Sequence, residues 1–341
     1  MLLDFGVKFF AAFGAFQLHH IRSGGHGGKS LAQPLWPLRA PRETAREPEN
    51  ASNPRYNLAM AVKLIALDID GTLLDSRWTL PEANRVAIAE ATRRGIEVAL
   101  VTGRRYDFAM PIATQLGAPL IMIVSNGALI RTQDGRTHLR HLLRRETALR
   151  VLEITRPWRD STAVIFDRSG QNQVVLEVFA TDDPIRSAYY ARNKDFLGQA
   201  VPLESCLTED PLQVMLSGKV EPMREAEGVL RSAQGEGFKV AATVYESRDF
   251  SMIDVLHPHC SKGAALAEWA NLRGLTREEV MAIGDNHNDL EMLSFAGVPV
   301  VMGNCVPELR NFGWHETASN DHNGVAAAIE LFALREVAPC T

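Results

Sequence analysis

Downstream of residue 60, short apolar runs alternate with longer segments whose apolar residues recur every three or four positions. That alternation is the pattern of a parallel sheet covered by helices. The runs at 62–67, 96–101, 120–124, 280–283 and 298–302 are predicted as buried strands, and 81–94, 264–272 and 289–296 as helices. Pro81 stands in the first turn of the first helix and Gly95 lies just past its end, where each suits the backbone. Between the two halves the rhythm differs. Strands are expected at 162–166, 174–179, 213–216 and 240–244, separated by helices at 147–155, 184–196 and 222–233. Strand pairs alternating with helices predict an α/β insert over 143–252, placed as a cap on a discontinuous α/β core of 60–142 and 253–341.

The first 59 residues follow no such pattern. They carry seven basic and four acidic side chains, a net +3 that leaves −8 for the remainder. Residues 22–56 are rich in Gly, Pro, Arg and Glu with little periodicity, and they cannot bury enough apolar area to offset ordering entropy. Disorder is expected there. The apolar run from Phe9 to Phe16 resembles a short secretory segment, but only Lys8 precedes it, Asp4 interrupts the flank and no small-residue cleavage site follows. Met60 stands just ahead of the first strand, so an upstream start that is rarely used, or a targeting peptide, are the other readings. Gly24-Gly25-His26-Gly27-Gly28-Lys29-Ser30 imitates a phosphate-binding loop, yet Ser23 stands where the first Gly belongs and no strand precedes it. It reads as a linker. The Asn50-Ala51-Ser52 sequon matters only in a secreted chain.

The whole chain has 341 residues and a formal charge of −5, which suits a protein of two domains. It supplies no global basic field for a polyanion, so no nucleic-acid partner is expected. No run reaches the ~18 consecutive apolar residues of a membrane-spanning helix, so no membrane partner is expected either. Four cysteines without a C-x-x-C pair indicate a reducing compartment. Cytoplasm is the expectation, or an organelle if residues 1–59 act as a targeting peptide.

The chemistry concentrates at strand ends. Asp68-Ile69-Asp70-Gly71-Thr72 follows the first strand directly, and in extended backbone its two acids face one side. Gly284-Asp285-Asn286-His287-Asn288-Asp289 follows the strand at 280–283. In open α/β sheets ligands collect at these carboxyl ends. Four carboxylates gathered in one pocket, Asp68, Asp70, Asp285 and Asp289, carry a charge of about −4, and a phosphate monoester adds roughly −1.5 to −2. Such a site demands a cation, and all-oxygen ligands that keep waters point to Mg²⁺. Val101-Thr102-Gly103-Arg104 ends the second strand with a hydroxyl and free backbone N–H groups, while Ser261-Lys262-Gly263 opens the helix after the insert with a point charge. Both suit an anion.

Those four segments, in that order after successive strands and ending in Gly-Asp-x-x-Asn-Asp-x-x-Met-Leu, resemble the motifs of the haloacid dehalogenase superfamily of phosphohydrolases. The insert, Ser125-Asn126-Gly127-Ala128 and the late stretch from Ala318 to Ala326 resemble its Cof-type subfamily. The resemblance runs from about residue 62 to 334. It implies a Rossmann-like parallel-sheet core with an α/β cap and a Mg²⁺-dependent phosphatase of small phosphorylated metabolites, sugar phosphates foremost. By this resemblance Asp68 is the nucleophile that takes the phosphoryl group and Asp70 the acid and base. Asp68, the Asp70 carbonyl and Asp285 hold Mg²⁺, with Asp289 supporting the metal or orienting Lys262. Thr102, Gly103, Lys262, Asn288 and the Ile69 backbone bind phosphate oxygens. Phosphatases of flavin or pyridoxal phosphates and a slow phosphate-binding regulator are the alternatives.

Other features are read conservatively. His257-Pro258-His259-Cys260 is expected to be a rim loop. Tyr189 and Tyr190 with Arg186 and Arg192 are expected on a partly buried amphipathic helix. Arg104 and Arg105 are expected to pair with acids, and Asn126 to sit where core meets insert.

Overall fold

The computed structural model describes residues 61–179, 184–235 and 237–335. The expectations for residues 1–59 and the reading of Met60 as a start lie outside them.

The chain opens with β1 (Leu64–Leu67), β2 (Glu97–Val101), β3 (Ile121–Val124), β4 (Leu129–Thr132) and β5 (Thr137–Arg140). It then builds β6 (Thr162–Ile165), β7 (Val174–Leu176), β8 (Leu197–Gln199), β9 (Gln213–Gly218), β10 (Lys239–Tyr245) and β11 (Phe250–Leu256), and ends with β12 (Val280–Gly284), β13 (Val298–Val301) and β14 (His315–Glu316). The helices in chain order are α1 (Glu82–Arg93), α2 (Tyr106–Leu116), α3 (Arg145–Ile154), α4 (Pro184–Asn193), α5 (Val220–Ala233), α6 (Lys262–Leu272), α7 (Leu290–Phe295), α8 (Pro307–Arg310) and α9 (Gly324–Phe332).

Two sheets result. The core sheet runs β14-β13-β12-β1-β2-β3-β4-β5, parallel from β14 to β3 and closed by an antiparallel hairpin. Its central strands are apolar on both faces because helices cover both, so they read in sequence as unbroken hydrophobic runs. One face packs with Ile65, Leu67 and Met281 against α1, α2 and α9, and the other with Leu64, Ala66 and Ala282 against α6 and α7. The cap sheet runs β10-β11-β9-β6-β7-β8, antiparallel except for β7 beside β8. Helices α3 and α5 cover it through Val151, Met223 and Leu230. Tyr189 and Tyr190 of α4 pack against Ala163, Ile165 and Leu176.

One expected boundary is corrected. The sequence pattern puts the return to the core at residue 253, inside β11, yet Ser251 to Val255 pair with β9 and all seven residues of β11 pair with β10. The strand belongs to the cap sheet because Ile253, Val255 and their neighbours complete the cap's hydrophobic interior. The chain therefore re-enters the core after Leu256. Entry and exit meet there: the His141 ring, just past β5, stacks on His257 with centroids 5.2 Å apart, and His259 follows at 5.2 Å from His257.

Candidate active site

Strand β1 sits between β12 and β2, so the residues that follow these three strands face one cleft. Asp68 follows β1, Asp285 follows β12 and Thr102 follows β2. The Asp68 N–H donates to Ile283 O at 3.1 Å, which continues the parallel ladder by one residue. The chain then turns through a π-type loop, Ile69–Leu73, closed by the Leu74 N–H to Ile69 O at 3.1 Å. Single turns of this kind are concentrated at functional sites. Gly71 takes φ +88°, and a Cβ there would lie 2.4 Å from Asp285 Oδ2. Only glycine lets Asp285 approach the loop this closely. Thr72 Oγ1 donates to Asp285 Oδ1 at 2.7 Å and fixes that carboxylate.

Lys262, the first residue of α6, reaches into the centre. It is 1% exposed, and its Nζ donates to Asp68 Oδ1 at 2.6 Å and Asp289 Oδ1 at 2.7 Å. The other Asp289 oxygen accepts the Asp285 and Asn286 N–H groups, each at 3.0 Å. Asp289 thereby ties its own loop to Lys262. Asn288 lies half-buried in the same turn, His287–Asp289. The helix that carries Lys262 is begun by Ser261, whose Oγ accepts the Ala264 N–H at 3.0 Å. Gly127 lies against it: at φ +90° its missing Cβ leaves room for Ser261 O, which would otherwise be 2.2 Å away.

The electrostatics follow from burial. Asp68, Asp285 and Asp289 each offer an oxygen within 4.8 Å of the others, and one ammonium pairs with two of them, Asp68 and Asp289. Burial pushes Asp68 well above the usual carboxylate range; Lys262 opposes this, while Asp289, Asp285 and Asp70 add to it. Burial likewise pushes Asp285 up to about 7, reinforced by the Asp289 charge and opposed by the Thr72 hydrogen bond. For Lys262, burial works against the charge, but Asp289 and Asp68 outweigh it and hold the ammonium's pKa above its ordinary value. Two of the three carboxylates lack a full counter-charge. A cluster of oxygen donors with that deficit fits a hard divalent cation.

The remaining predicted residues border this centre. Thr102 is buried, with its N–H bonded to Ile123 O at 2.9 Å and its Oγ1 accepting the Arg104 N–H at 3.1 Å. Gly103 packs against the Asn126 amide, and Ile69 is wholly buried. Asp70 points elsewhere: Arg104 holds its carboxylate through Nε at 2.8 Å and a second nitrogen at 2.5 Å. Among the described residues Arg105 forms no ion pair with an acid, contrary to expectation. It donates to Gln173 and Asn193 of the cap, because its residue faces the insert and not the cleft. Asn126 bridges core and cap by donating to Asp254 Oδ2 at 2.9 Å, and Gln213 donates to the other oxygen at 2.7 Å. Burial raises Asp254 to about 7, against the pull of the Asn126 bond.

Several further residues support the site in roles that the sequence alone does not assign. Asn304 Nδ2 donates to Gly71 O at 2.8 Å, and Asn320 donates its N–H to Asn304 Oδ1 at 2.9 Å and its Nδ2 to Leu74 O at 2.9 Å. The late stretch thus braces the Asp-x-Asp loop. Above the cleft, Arg104 and Arg248 lie over the Trp78 ring at 5.6 and 5.2 Å, and Arg248 lies 6.0 Å from the Tyr245 ring. Burial, then the charges of Asp70 and Asp68, raise the Tyr245 phenol, which marks this cap residue as a neighbour of the acids. Only the fold brings these rings together.

An acidic pocket at the carboxyl ends of adjacent parallel strands, with a lysine at its centre and an inserted cap above it, defines a phosphomonoester hydrolase of the haloacid dehalogenase class. The chain belongs to that family: residues 65–329 match the family described as haloacid dehalogenase-like hydrolase. It is 31% identical over 288 residues to YxeH of Bacillus subtilis (strain 168), covering 80% of this chain and 98% of that one. It is 29% identical over 297 residues to the 5-amino-6-(5-phospho-D-ribitylamino)uracil phosphatase YwtE of the same organism, covering 79% and 97%. The crystal structure of a haloacid dehalogenase-like hydrolase from Bacteroides thetaiotaomicron matches with a TM-score of 0.66 at 26% identity, over 79% of this chain and 99% of that one. The chain is a Cof-type phosphatase acting on small phosphorylated substrates. Among the described residues no helix is long and apolar enough to cross a membrane.

Proposed function

We propose that the protein hydrolyses sugar phosphates and similar small phosphate monoesters in a Mg²⁺-dependent reaction with Asp68 as nucleophile. The observation that carries this reading is Lys262 bonded at once to Asp68 and Asp289 beside Asp285, a buried site with excess negative charge. Asp68, Asp285 and the backbone carbonyl of Asp70 would hold Mg²⁺. When bound, the ion neutralises the acids and the phosphoryl oxygens, so that one anion can approach another.

The Asp68 carboxylate then attacks phosphorus in line with the ester oxygen. The new O–P bond forms an aspartyl-phosphate as the ester O–P bond breaks. Asp70 gives its proton to the leaving alcohol, then takes one from the water that cleaves the aspartyl-phosphate and restores Asp68. This role requires Asp70 to leave the Arg104 clamp, and Arg104 is then free to face the incoming phosphate. Lys262, Thr102, the Gly103 and Ile69 backbone and Asn288 would stabilise the phosphoryl oxygens, with donors fixed before substrate arrives. Asp289 acts by holding Lys262 and the Asp285 loop in place.

Among the described residues Cys206, Cys260 and Cys305 are free thiols, which supports a reducing compartment such as the cytoplasm. The 29% identity to YwtE, named as a phosphatase of a ribitylaminouracil phosphate, supports including flavin-precursor phosphates among the substrates tested. The test is phosphate release from p-nitrophenyl phosphate, sugar phosphates, a ribitylaminouracil phosphate and pyridoxal phosphate, for wild type and Asp68→Asn, with and without Mg²⁺. Release that needs both Asp68 and Mg²⁺, with sugar phosphates ranked first, is expected. Folded protein that binds Mg²⁺ yet releases nothing would point to the phosphate-binding regulator instead.

A further inference from the structure

A second pocket, basic where the first is acidic, lies at the junction of core and cap and encloses about 330 Å³. Residues at the start of α2 and in β4 and β5 line one wall, and residues following β6 line the other. Four arginines, Arg105, Arg131, Arg140 and Arg168, meet two aspartates, Asp107 and Asp167. Asp167 is already engaged, accepting from Arg131 at 2.9 Å and Arg140 at 2.6 Å. Asp107 accepts from the Gln173 amide at 2.7 Å, and Arg168 pairs at 2.5 Å with Glu209, an exposed partner that holds it weakly and leaves its guanidinium able to turn to an anion in the pocket.

Arg105 differs from its neighbours. It is 8% exposed, its guanidinium bonds the amide oxygens of Gln173 and Asn193, and it lies over the Phe108 and Phe196 rings. Among the described residues no acid forms an ion pair with it. Burial lowers its pKa, with the surrounding Tyr189 and Asp107 only partly in opposition. Ser125 lines the same pocket, and among the described residues its buried Oγ has no hydrogen-bond partner. A buried cation without an acid and a buried hydroxyl without a partner are each unfavourable. A small oxyanion in the pocket offers the Ser125 hydroxyl an acceptor and the arginine-rich lining a counter-charge, since low-dielectric walls strengthen the field of the excess positive charge.

We propose that this pocket binds a phosphate dianion, free or as the head of a small phosphorylated metabolite, at a site separate from the acidic cleft. Because its walls come from both sheets, an anion bound there ties cap to core.

The test is calorimetric titration of inorganic phosphate into the full chain in EDTA, where the acidic cleft repels anions. Wild type is compared with Ser125→Ala and Arg168→Gln, each checked for folding by thermal unfolding. Saturable binding in wild type, weakened at least tenfold in both variants, is the expected result. A parallel titration with glycerol 2-phosphate separates the sources: the free anion binds more tightly if the site is for inorganic phosphate, the ester if it is for a metabolite. No saturable binding of either in wild type overturns the proposal, as does unchanged affinity in Arg168→Gln. The latter would trace any loss in Ser125→Ala to the adjoining Thr102 loop.

Discussion

Removing divalent cation makes the protein's stability fall as pH rises, and the buried acids set the size of the fall. Asp285 is 7% exposed, and its pKa is raised from 3.8 to about 7 in the folded chain. A carboxyl whose folded pKa is raised contributes stability that is fully present below its unfolded value and is lost as pH climbs through the folded one. The window is therefore from about pH 4 to about pH 7, and each pH unit within it is worth about 1.4 kcal/mol. Between pH 5.5 and 8.5 one and a half units of that window are crossed. Asp285 alone then accounts for a loss of about 2 kcal/mol, and Asp68, raised by the same burial, acts in the same direction. In a domain of this size ~2 kcal/mol lowers Tm by about 4–8 °C. If the acids hold Mg²⁺ as proposed, the ion offsets their charge, and it is expected to raise Tm more at pH 8.5 than at pH 5.5. Thermal unfolding at both pH values, in EDTA and in MgCl₂, for wild type and Asp285→Asn, reads the difference. An equal Mg²⁺ increment at the two pH values, or an undiminished pH dependence in Asp285→Asn, would refute the reasoning.

Other consequences can be measured separately. Lys262→Met leaves Asp68 and Asp289 buried without their ammonium, and denaturant unfolding in EDTA is expected to show a loss of about 3–5 kcal/mol. By the proposed mechanism the same change also removes a donor to the phosphoryl oxygens, and turnover is expected to fall by about 10²–10³ or more. Gly71→Ala places a methyl against Asp285 at a left-handed position; stability drops by about 1–3 kcal/mol, and calorimetry shows weaker Mg²⁺ binding. Arg248→Gln removes the cation over Trp78 and Tyr245 and raises KM for the preferred substrate by about two- to fivefold with kcat for p-nitrophenyl phosphate little changed.

The core was legible because its physics is local. A strand buried on both faces must be apolar throughout, and β1, β2, β3, β12 and β13 all begin and end within two residues of the runs that predicted them. The acids that follow β1 and β12 were legible for the same reason, since a strand's end fixes where the next residues face. Elements with mixed composition were not. Hairpin β4–β5 contains Arg131, Thr132, Thr137 and Arg140, which its edge position tolerates but which break any apolar run. Helix α2 carries Pro111 in its interior, which hides its helical periodicity. Strand β11 has its apolar run broken by Ser251 and Asp254, and its pairing with β9 and β10 is what assigns it to the cap. The contacts at the mouth of the cleft were least legible. Trp78 and Arg248 are 170 positions apart, and neither sits in a motif; they meet because the cap folds back over the core.

The cap hangs from the core at one junction, where His141 on the way in stacks against His257 on the way out. Both ends of the insertion lie side by side at the edge of the cleft, so a domain of any architecture with adjacent termini can occupy that position without shifting a strand that carries an acid. If the cap chooses the substrate, selectivity and reactivity are separable: one part of the chain can change toward new substrates while the other keeps the same bond-breaking apparatus intact.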